Sequence, residues 1–472
     1  VNRRSVVTVM AAMALAAPPL WADEVKSIPL ALRPAAAPSP ALKYKLLPEM
    51  EDQSPGNAAL LYYRAYSPEW QTQKRDPKYY EKLDKWLATP IKELPREEMK
   101  WLLSSPILKE VDLAARREFC NWELTSRVRK ESYRLLLPDI QGLRDFAKLL
   151  AARARLEFAE GNHEQAFYTL QTGYSLGHHL GEGPILIIGL VGIAIASVMT
   201  EQVETFIQQP ECPNLYWALT SLPRPLLDTR KPFEGEKLAL SSIVPSRQEL
   251  ETAVFTTEQM QRKIDQLLES FRDVELEPFH GPSAESKVAF TWLVLKTYSH
   301  AKRYLIENGR KREMIEAMPA PQVVLLYSVM EFERLRDGLF KWYHVPYWEA
   351  QKGIRQAEAD IAASKRTEEG IPFASFFLPA LQKVQFAQTR LDRRIAALRC
   401  IEALRLHAAA HDGQMPVTLK ELTEVPVPID PVTGKEFDYR LEGDKAILHA
   451  QPPLGEVPGM HNTLRYEITI KK

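Results

Sequence analysis

Cysteine is nearly absent from this chain. Cys120, Cys212 and Cys400 are the only three in 472 residues. Their spacings fit no zinc pattern, and three thiols allow one disulfide at most. A chain this long buries large cores without staples, so all three are expected as small buried apolar residues, with one disulfide left open. Glycine is sparse too, 20 of 472, and neither Gly-rich phosphate-binding pattern occurs. There is no His-Glu-x-x-His and no Gly-x-Ser-x-Gly elbow, so neither zinc-protease nor serine-hydrolase chemistry has a signature here. Net charge is missing as well: 61 Lys and Arg balance 61 Asp and Glu. A neutral chain has no overall field for nucleic acid or an anionic membrane. The local basic runs, Arg116-Arg117 and Arg127 to Lys130, have Glu118, Glu123 and Glu131 among them and read as a solvated helix face.

What is present begins at the N-terminus. Asn2-Arg3-Arg4 is basic, Val6 to Leu20 is apolar apart from Thr8, and Leu20-Trp21-Ala22 sets a small residue before Asp23. Basic head, apolar middle and small-residue exit make residues 1–22 a secretory signal peptide. The competing reading is a membrane anchor. The run of about 15 residues, with Pro18-Pro19 near its end, falls short of the about 20 that a spanning helix needs. No Cys follows closely enough for a lipid anchor. Cleavage removes Arg3 and Arg4, leaving 59 basic against 61 acidic residues. The expected location is exported, either periplasmic or secreted.

Residues 23–48 form an Ala/Pro-rich leader. Leu32 to Pro40 is expected to be extended, as a tether or a loose stub. Residues 49–245 are expected as a helical-hairpin domain. Its first part holds short proline-separated helices: Asn57 to Tyr66, Pro77 to Leu87, and Ile107 to Leu124. The last carries Leu108, Val111, Ala115, Phe119 and Trp122 at helical spacing.

The clearest architectural signal lies in residues 139–222. Leu143 to Glu160 is a strong helix former, Gly161-Asn162 breaks it, and His163 to Leu180 resumes it. The piece Gly161-Asn162-His163-Glu164-Gln165-Ala166 resembles the turn of a tetratricopeptide repeat. Ala154 and Leu170 match that repeat's small and large apolar positions, while Glu157 stands where it carries an aromatic. Small residues at the crossing let antiparallel helices approach closely. Pro184 to Met199 follows without a charge. At 16 residues between Glu182 and Glu201 it is short for a membrane span and reads as a buried central helix. Gly189 and Gly192 suit close helix contact. Asn214 to Leu222 makes a fourth helix, and Pro223 to Pro245 is a proline-spaced connection with a short helix near Glu234 to Leu240.

Residues 246–377 are a second helical region. Thr257 to Arg272 aligns Met260, Ile264, Leu267 and Phe271. Ser283 to Asn308 is expected to turn Val288, Trp292, Leu295, Tyr298 and Leu305 inward. Helices then run from Ala320 to Trp342 and from Tyr347 to Ala363. Residues 378–472 change character. A long helix, Leu378 to His411, stops at Asp412-Gly413. Strands follow at Glu436 to Leu441, Lys445 to Ala450 and Thr463 to Ile470, with a turn at Glu442-Gly443-Asp444. The expected fold class is therefore mainly α: stacked helical hairpins, weakly tetratricopeptide-like, with a small C-terminal α+β unit.

Two longer resemblances add to this. SPGNAALLYYRA, LQTGYSLGHHLGEGP, LVGIAIA and CPNLYWALTSLPRPLLDTR, within about 42–245, look like an uncharacterised exported protein family of planctomycete-type bacteria. That resemblance implies an exported, mostly helical protein and no particular activity. Asp412 to Leu422 and Ile429 to Tyr439, after the long helix, are similar to the globular head of type II secretion pseudopilins. The prepilin cleavage motif and assembly helix are missing, and no acidic calcium loop lies around Gly459 to Asn462. The resemblance therefore implies a local fold and no filament function.

Candidate site residues are few. Glu182, in Gly181-Glu182-Gly183-Pro184, sits where a carboxylate meets a helix's positive end, with His179 nearby. Helix capping is the plainer explanation. Trp217, Arg224 and Arg230 would line a ligand-binding groove, although core packing accounts for Tyr216 and Trp217. His178 and His179 are adjacent and diverge on a helix. His407 and His411 are four apart and would face one metal, but only Asp412 offers itself as a third ligand. No metal or cofactor is assigned on this basis, and no catalytic residue is identified. The expected function is an exported helical scaffold or binding protein whose partner is a protein or cell-envelope component. Nucleic acid and an integral membrane span are not expected. The alternatives are an envelope hydrolase with a dispersed active site, or an accessory component of a secretion or pilus-like apparatus.

Overall fold

The computed structural model describes residues 27–66, 77–131, 135, 137–241, 246–272, 279, 281–367, 370–374 and 378–471. The expected signal, residues 1–22, lies outside the described residues, as do residues 242–245 of the proline-spaced connection and Glu368-Glu369.

The chain is mainly α-helical with a small α+β unit toward its C-terminus. In chain order the main elements begin with β1 (Ile28–Leu32), β2 (Ser54–Asn57), α1 (Ala58–Ala65), α2 (Pro77–Ala88), α3 (Pro106–Ala115) and β3 (Arg117–Phe119). Then come α4 (Pro138–Ala159), α5 (His163–Gly181), α6 (Leu186–Phe206), α7 (Tyr216–Thr220), α8 (Arg230–Leu240) and α9 (Arg247–Thr252). They continue with α10 (Thr257–Phe271), α11 (Ala284–Glu307), α12 (Ala320–Phe340), α13 (Tyr347–Thr367) and α14 (Pro379–Ala410). Strands β4 (Asp438–Glu442), β5 (Lys445–Ala450) and β6 (Leu464–Ile470) end the series. Two compact units emerge. The larger combines residues 27–122, 137–232 and 386–471; the smaller combines 123–135 and 233–385.

In the larger unit α4, α5 and α6 pack against one another. Gly161 ends α4 at φ 80°, and the Asn162 N–H closes the turn on the Glu157 carbonyl at 2.9 Å. Only a residue without Cβ enters that left-handed conformation freely. Ala154 and Ala166 are fully buried. Gly177 of α5 and Gly192 of α6 meet directly: a Cβ on Gly192 would lie 2.5 Å from the Gly177 carbonyl oxygen. Gly189 instead meets Pro232. Among the described residues α6 is the one helix long and apolar enough to cross a membrane, and 72% of its apolar window is buried inside the protein.

The helix expected over Ile107 to Leu124 ends at Ala115. Beyond it, β3 pairs in parallel with β2. Asn57 enforces this change. Its side chain accepts from the Ala59 N–H at 3.1 Å, capping α1, accepts from Asn121 N–H at 2.9 Å, and donates to the Asn121 carbonyl at 2.8 Å. Phe119, expected on the buried face, is 52% exposed.

The C-terminal sheet has the order β1-β6-β5-β4. β4 to β6 are antiparallel neighbours, and β1 joins β6 in parallel, with Leu30 opposite Ile468 and Leu32 opposite Ile470. The leader is thus no loose tether from residue 28 onward. Leu30 and Leu32 are buried, which stabilises by about 1.5–3 kcal/mol each. Pro29 is tolerated because β1 is an edge strand, where one side of the backbone has no ladder to complete. After β1, the Ala35 N–H donates to the Arg405 carbonyl at 3.1 Å, and the Arg405 Nε–H donates to the Arg33 carbonyl at 3.0 Å. The long helix α14 anchors the sheet through Arg394, which pairs with Glu204 at 3.0 Å, while Tyr466 donates to the same carboxylate at 2.6 Å.

In the smaller unit α12 packs on α11, α13 and α9. A capping box at Thr256 and Gln259 starts α10, and Met260, Ile264, Leu267 and Phe271 are buried as their spacing requires. Gln322 is fully buried; it donates to the Leu250 carbonyl at 2.9 Å and accepts from the Phe255 N–H at 3.2 Å. The expected inward face of α11 is corrected. Val288, Trp292 and Leu295 face solvent, Tyr298 is half-buried and Leu305 is buried as expected, and Phe290, Leu293, Val294, Thr297 and Ala301 make up the rest of the buried face. Cys120, Cys212 and Cys400 are free and buried.

Candidate functional site

His179 ends up at the C-terminal end of α5 in an aromatic clamp. Its Nδ1 lies 2.9 Å from the Tyr62 hydroxyl, and its carbonyl accepts from Trp122 Nε1–H at 2.9 Å. The Tyr62 and Trp122 rings stack at 5.7 Å. Burial, reinforced by His178, pushes the imidazole pKa down to about 3. His179 is therefore neutral at physiological pH and sits half-buried against Tyr62 and Trp122. Glu182, three residues on, is exposed and lies 3.5 Å from Lys231. Cys120 is close enough for Glu182 and Lys231 to act on its thiol, but burial dominates and raises its pKa, leaving it protonated and inert.

Trp217, Arg224 and Arg230 make their own local contacts. Trp217 stands edge-on to Tyr216 at 5.1 Å, and Arg224 donates to the Thr220 carbonyl at 3.0 Å. Arg399 of α14 lies over the Tyr216 ring at 5.6 Å and donates to Thr220 at 2.9 Å. Exposed Arg230 is held by Asp228, with Nε 2.9 Å from a carboxylate oxygen. No hydrogen bond or ion pair joins any two of these five residues among the described residues. Glu182 and His179 share one corner, and Trp217 and Arg224 another.

A buried polar network crosses α3, α4 and α5. Arg153 donates to both Asp112 oxygens at 2.9 and 2.6 Å and to Thr169 at 3.0 Å. Thr169 in turn donates to Glu157 at 2.6 Å. Burial raises the Glu157 pKa to about 7, with Arg153 and Thr169 opposing. Glu157 thus occupies the aromatic position of the tetratricopeptide-like turn with a satisfied acid. Every member is paired within the protein, so the network binds the three helices together.

The smaller unit has a cavity of about 480 Å³ lined in part by Lys237, Arg247, Glu251, Phe332 and Glu333. Arg247 pairs with Glu251 at 3.0 Å and with Glu333 at 3.2 Å, so both carboxylates of the lining are already held by a cation.

The outer face of α11 is different. Val288, Trp292 and Leu295 are 70%, 60% and 74% exposed. They fall at i, i+4 and i+7, one continuous row on a helix. Lys296 lies over the Trp292 ring at 5.1 Å, and exposed Arg303 continues the same side two turns beyond Lys296. Single exposed apolar residues are ordinary, whereas these three adjoin one another along the helix. The sequence contained this row but not its orientation. No family model, curated protein or solved structure matches this chain.

Proposed function

We propose that this protein is an exported, non-catalytic helical binding protein of the cell envelope, and that α11 is its docking face. Export rests on the secretory pattern of residues 1–22. Binding rests on one observation, the exposed row Val288, Trp292 and Leu295. Apolar anchors at i, i+4 and i+7 suit a partner helix laid alongside. Tryptophan is the side chain most enriched among residues that dominate binding energy. Lys296 and Arg303 beside the row favour a partner segment with acidic residues flanking its own apolar stripe. A chain neutral overall attracts no polyanion broadly, so recognition falls to this local face.

The test is site-specific photocrosslinking in the native envelope. A photoreactive amino acid in place of Val288 is expected to capture one protein, and Trp292→Ser in the same chain is expected to abolish the adduct. The same probe at Thr252, which is exposed on α9, is the control. Capture of lipid alone, or no difference between Val288 and Thr252, overturns the proposal.

A further inference from the structure

The C-terminal end of α14 carries a cluster that the proposed function does not use. His407 and His411 are one helical turn apart, and their rings stack at 3.9 Å between centroids with 19° between planes. Both present Nδ1 to one carboxylate oxygen. Glu424 Oε1 lies 3.0 Å from His407 Nδ1 and 3.5 Å from His411 Nδ1. The donor atoms of all three residues lie within 4.8 Å of one another. We propose that His407, His411 and Glu424 form a binding site for a zinc-like divalent cation.

The donor separations suit a metal, and the exposed His411 ring has to turn out of its stack on His407 so that both Nδ1 lone pairs converge on one ion. Donors around tetrahedral zinc lie about 3.3 Å apart, given metal–ligand lengths of about 2.0 Å. The two histidine–carboxylate separations, 3.0 and 3.5 Å, bracket that value. The second carboxylate oxygen is already fixed, since Glu424 Oε2 accepts from the Thr423 N–H at 3.1 Å. Such outer bonds aim a ligand. The site also lies where cations are favoured, because α14 ends at Ala410 and directs its terminal carbonyls there. His407 is buried, while His411 is 49% and Glu424 23% exposed at the side chain, so an ion has access from solvent. His411 Nδ1 lies 2.9 Å from the His407 carbonyl, which takes its proton when no ion is bound. Metal entry needs both imidazoles to carry their proton on Nε2 instead, with no net proton release from neutral rings. Two nitrogens and one oxygen favour zinc over calcium or magnesium, which prefer all-oxygen sets. Three protein donors leave the fourth position to water.

The experiment is calorimetric titration of the chelator-treated chain with zinc chloride. One equivalent is expected at this site. Glu424→Gln keeps a hydrogen-bond acceptor toward His407 but is a poor metal ligand, and His411→Ala removes an exposed group. Each is expected to weaken zinc binding roughly 100-fold, as loss of one of a few ligands does, with metal-free thermal unfolding unchanged. Cobalt in place of zinc is expected to give a tetrahedral visible absorption that Glu424→Gln abolishes. The chain has 10 histidines, so the variants decide the location. No uptake by the parent chain, or the parent's affinity retained in both variants, overturns the proposal.

Discussion

Arg393 holds Asp430 in a two-pronged ion pair, Nε to Oδ1 at 2.8 Å and Nη2 to Oδ2 at 2.6 Å, with both side chains at most 3% exposed. Asp430 also accepts from the Val432 N–H at 2.9 Å and the Thr433 hydroxyl at 3.0 Å. One carboxylate therefore shapes the Asp430–Gly434 turn and fastens it to α14. Removing one partner strands a buried charge, which costs about 3–5 kcal/mol. Arg393→Ala and Asp430→Ala should each lower the unfolding free energy, measured by urea denaturation, by that amount. Asp430→Asn keeps acceptors for the turn and should cost less. Equal losses in the alanine and asparagine variants would contradict this account.

Glu157 predicts a pH dependence. Its folded pKa is raised from 4.5 to about 7. Between those values the folded chain holds the proton more tightly than the unfolded chain, so stability falls as pH rises from 4.5 to 7. The loss is on the order of 3 kcal/mol, at about 1.4 kcal/mol for each pH unit between the two values. Glu157→Gln should flatten this part of the stability–pH curve, measured by urea unfolding at fixed pH steps.

The α5–α6 crossing separates two kinds of glycine. Gly192→Ala forces a methyl to within 2.5 Å of the Gly177 carbonyl and should cost about 1–3 kcal/mol by pushing the helices apart. Gly161→Ala meets nothing within 4 Å, and only its φ of 80° opposes the change. It should cost about 1 kcal/mol. Thermal unfolding ranks the two variants, and the reverse order would disprove this packing.

The two apolar rows of α11 predict opposite outcomes. Val288, Trp292 and Leu295 changed together to Ser should leave the unfolding free energy within about 0.5 kcal/mol per site, since they are exposed. Phe290, Leu293 and Val294 changed to Ser should unfold the smaller unit. Circular dichroism melts distinguish them.

Local signals made part of this fold legible in the sequence. Gly161-Asn162 marked the α4–α5 turn, the uncharged run gave α6, and Glu442-Gly443-Asp444 gave the β4–β5 hairpin. What escaped depends on distant partners. Both rows of α11 have helical spacing, so periodicity alone cannot say which one meets α12. Apolar spacing continues past Ala115, yet Asn57, far upstream, pulls residues 117–121 out of the helix. Glu424 lies beyond a turn after His411, so the histidine pair showed no third donor. The Pro/Ala composition after Leu32 disguised β1, whose alternating Leu30 and Leu32 gain meaning only beside β6.

That pairing sets an order of events. Among the described residues β1 lies at the sheet edge beside β6, and its Leu32 carbonyl also accepts from the Lys471 N–H at 2.7 Å. β1 therefore leaves the ribosome well before β6 and must wait for it. Until residues 464–470 emerge, Leu30 and Leu32 have no seat. A prematurely terminated chain carries its own marker of incompleteness, an apolar N-terminal strand left open to quality-control proteases.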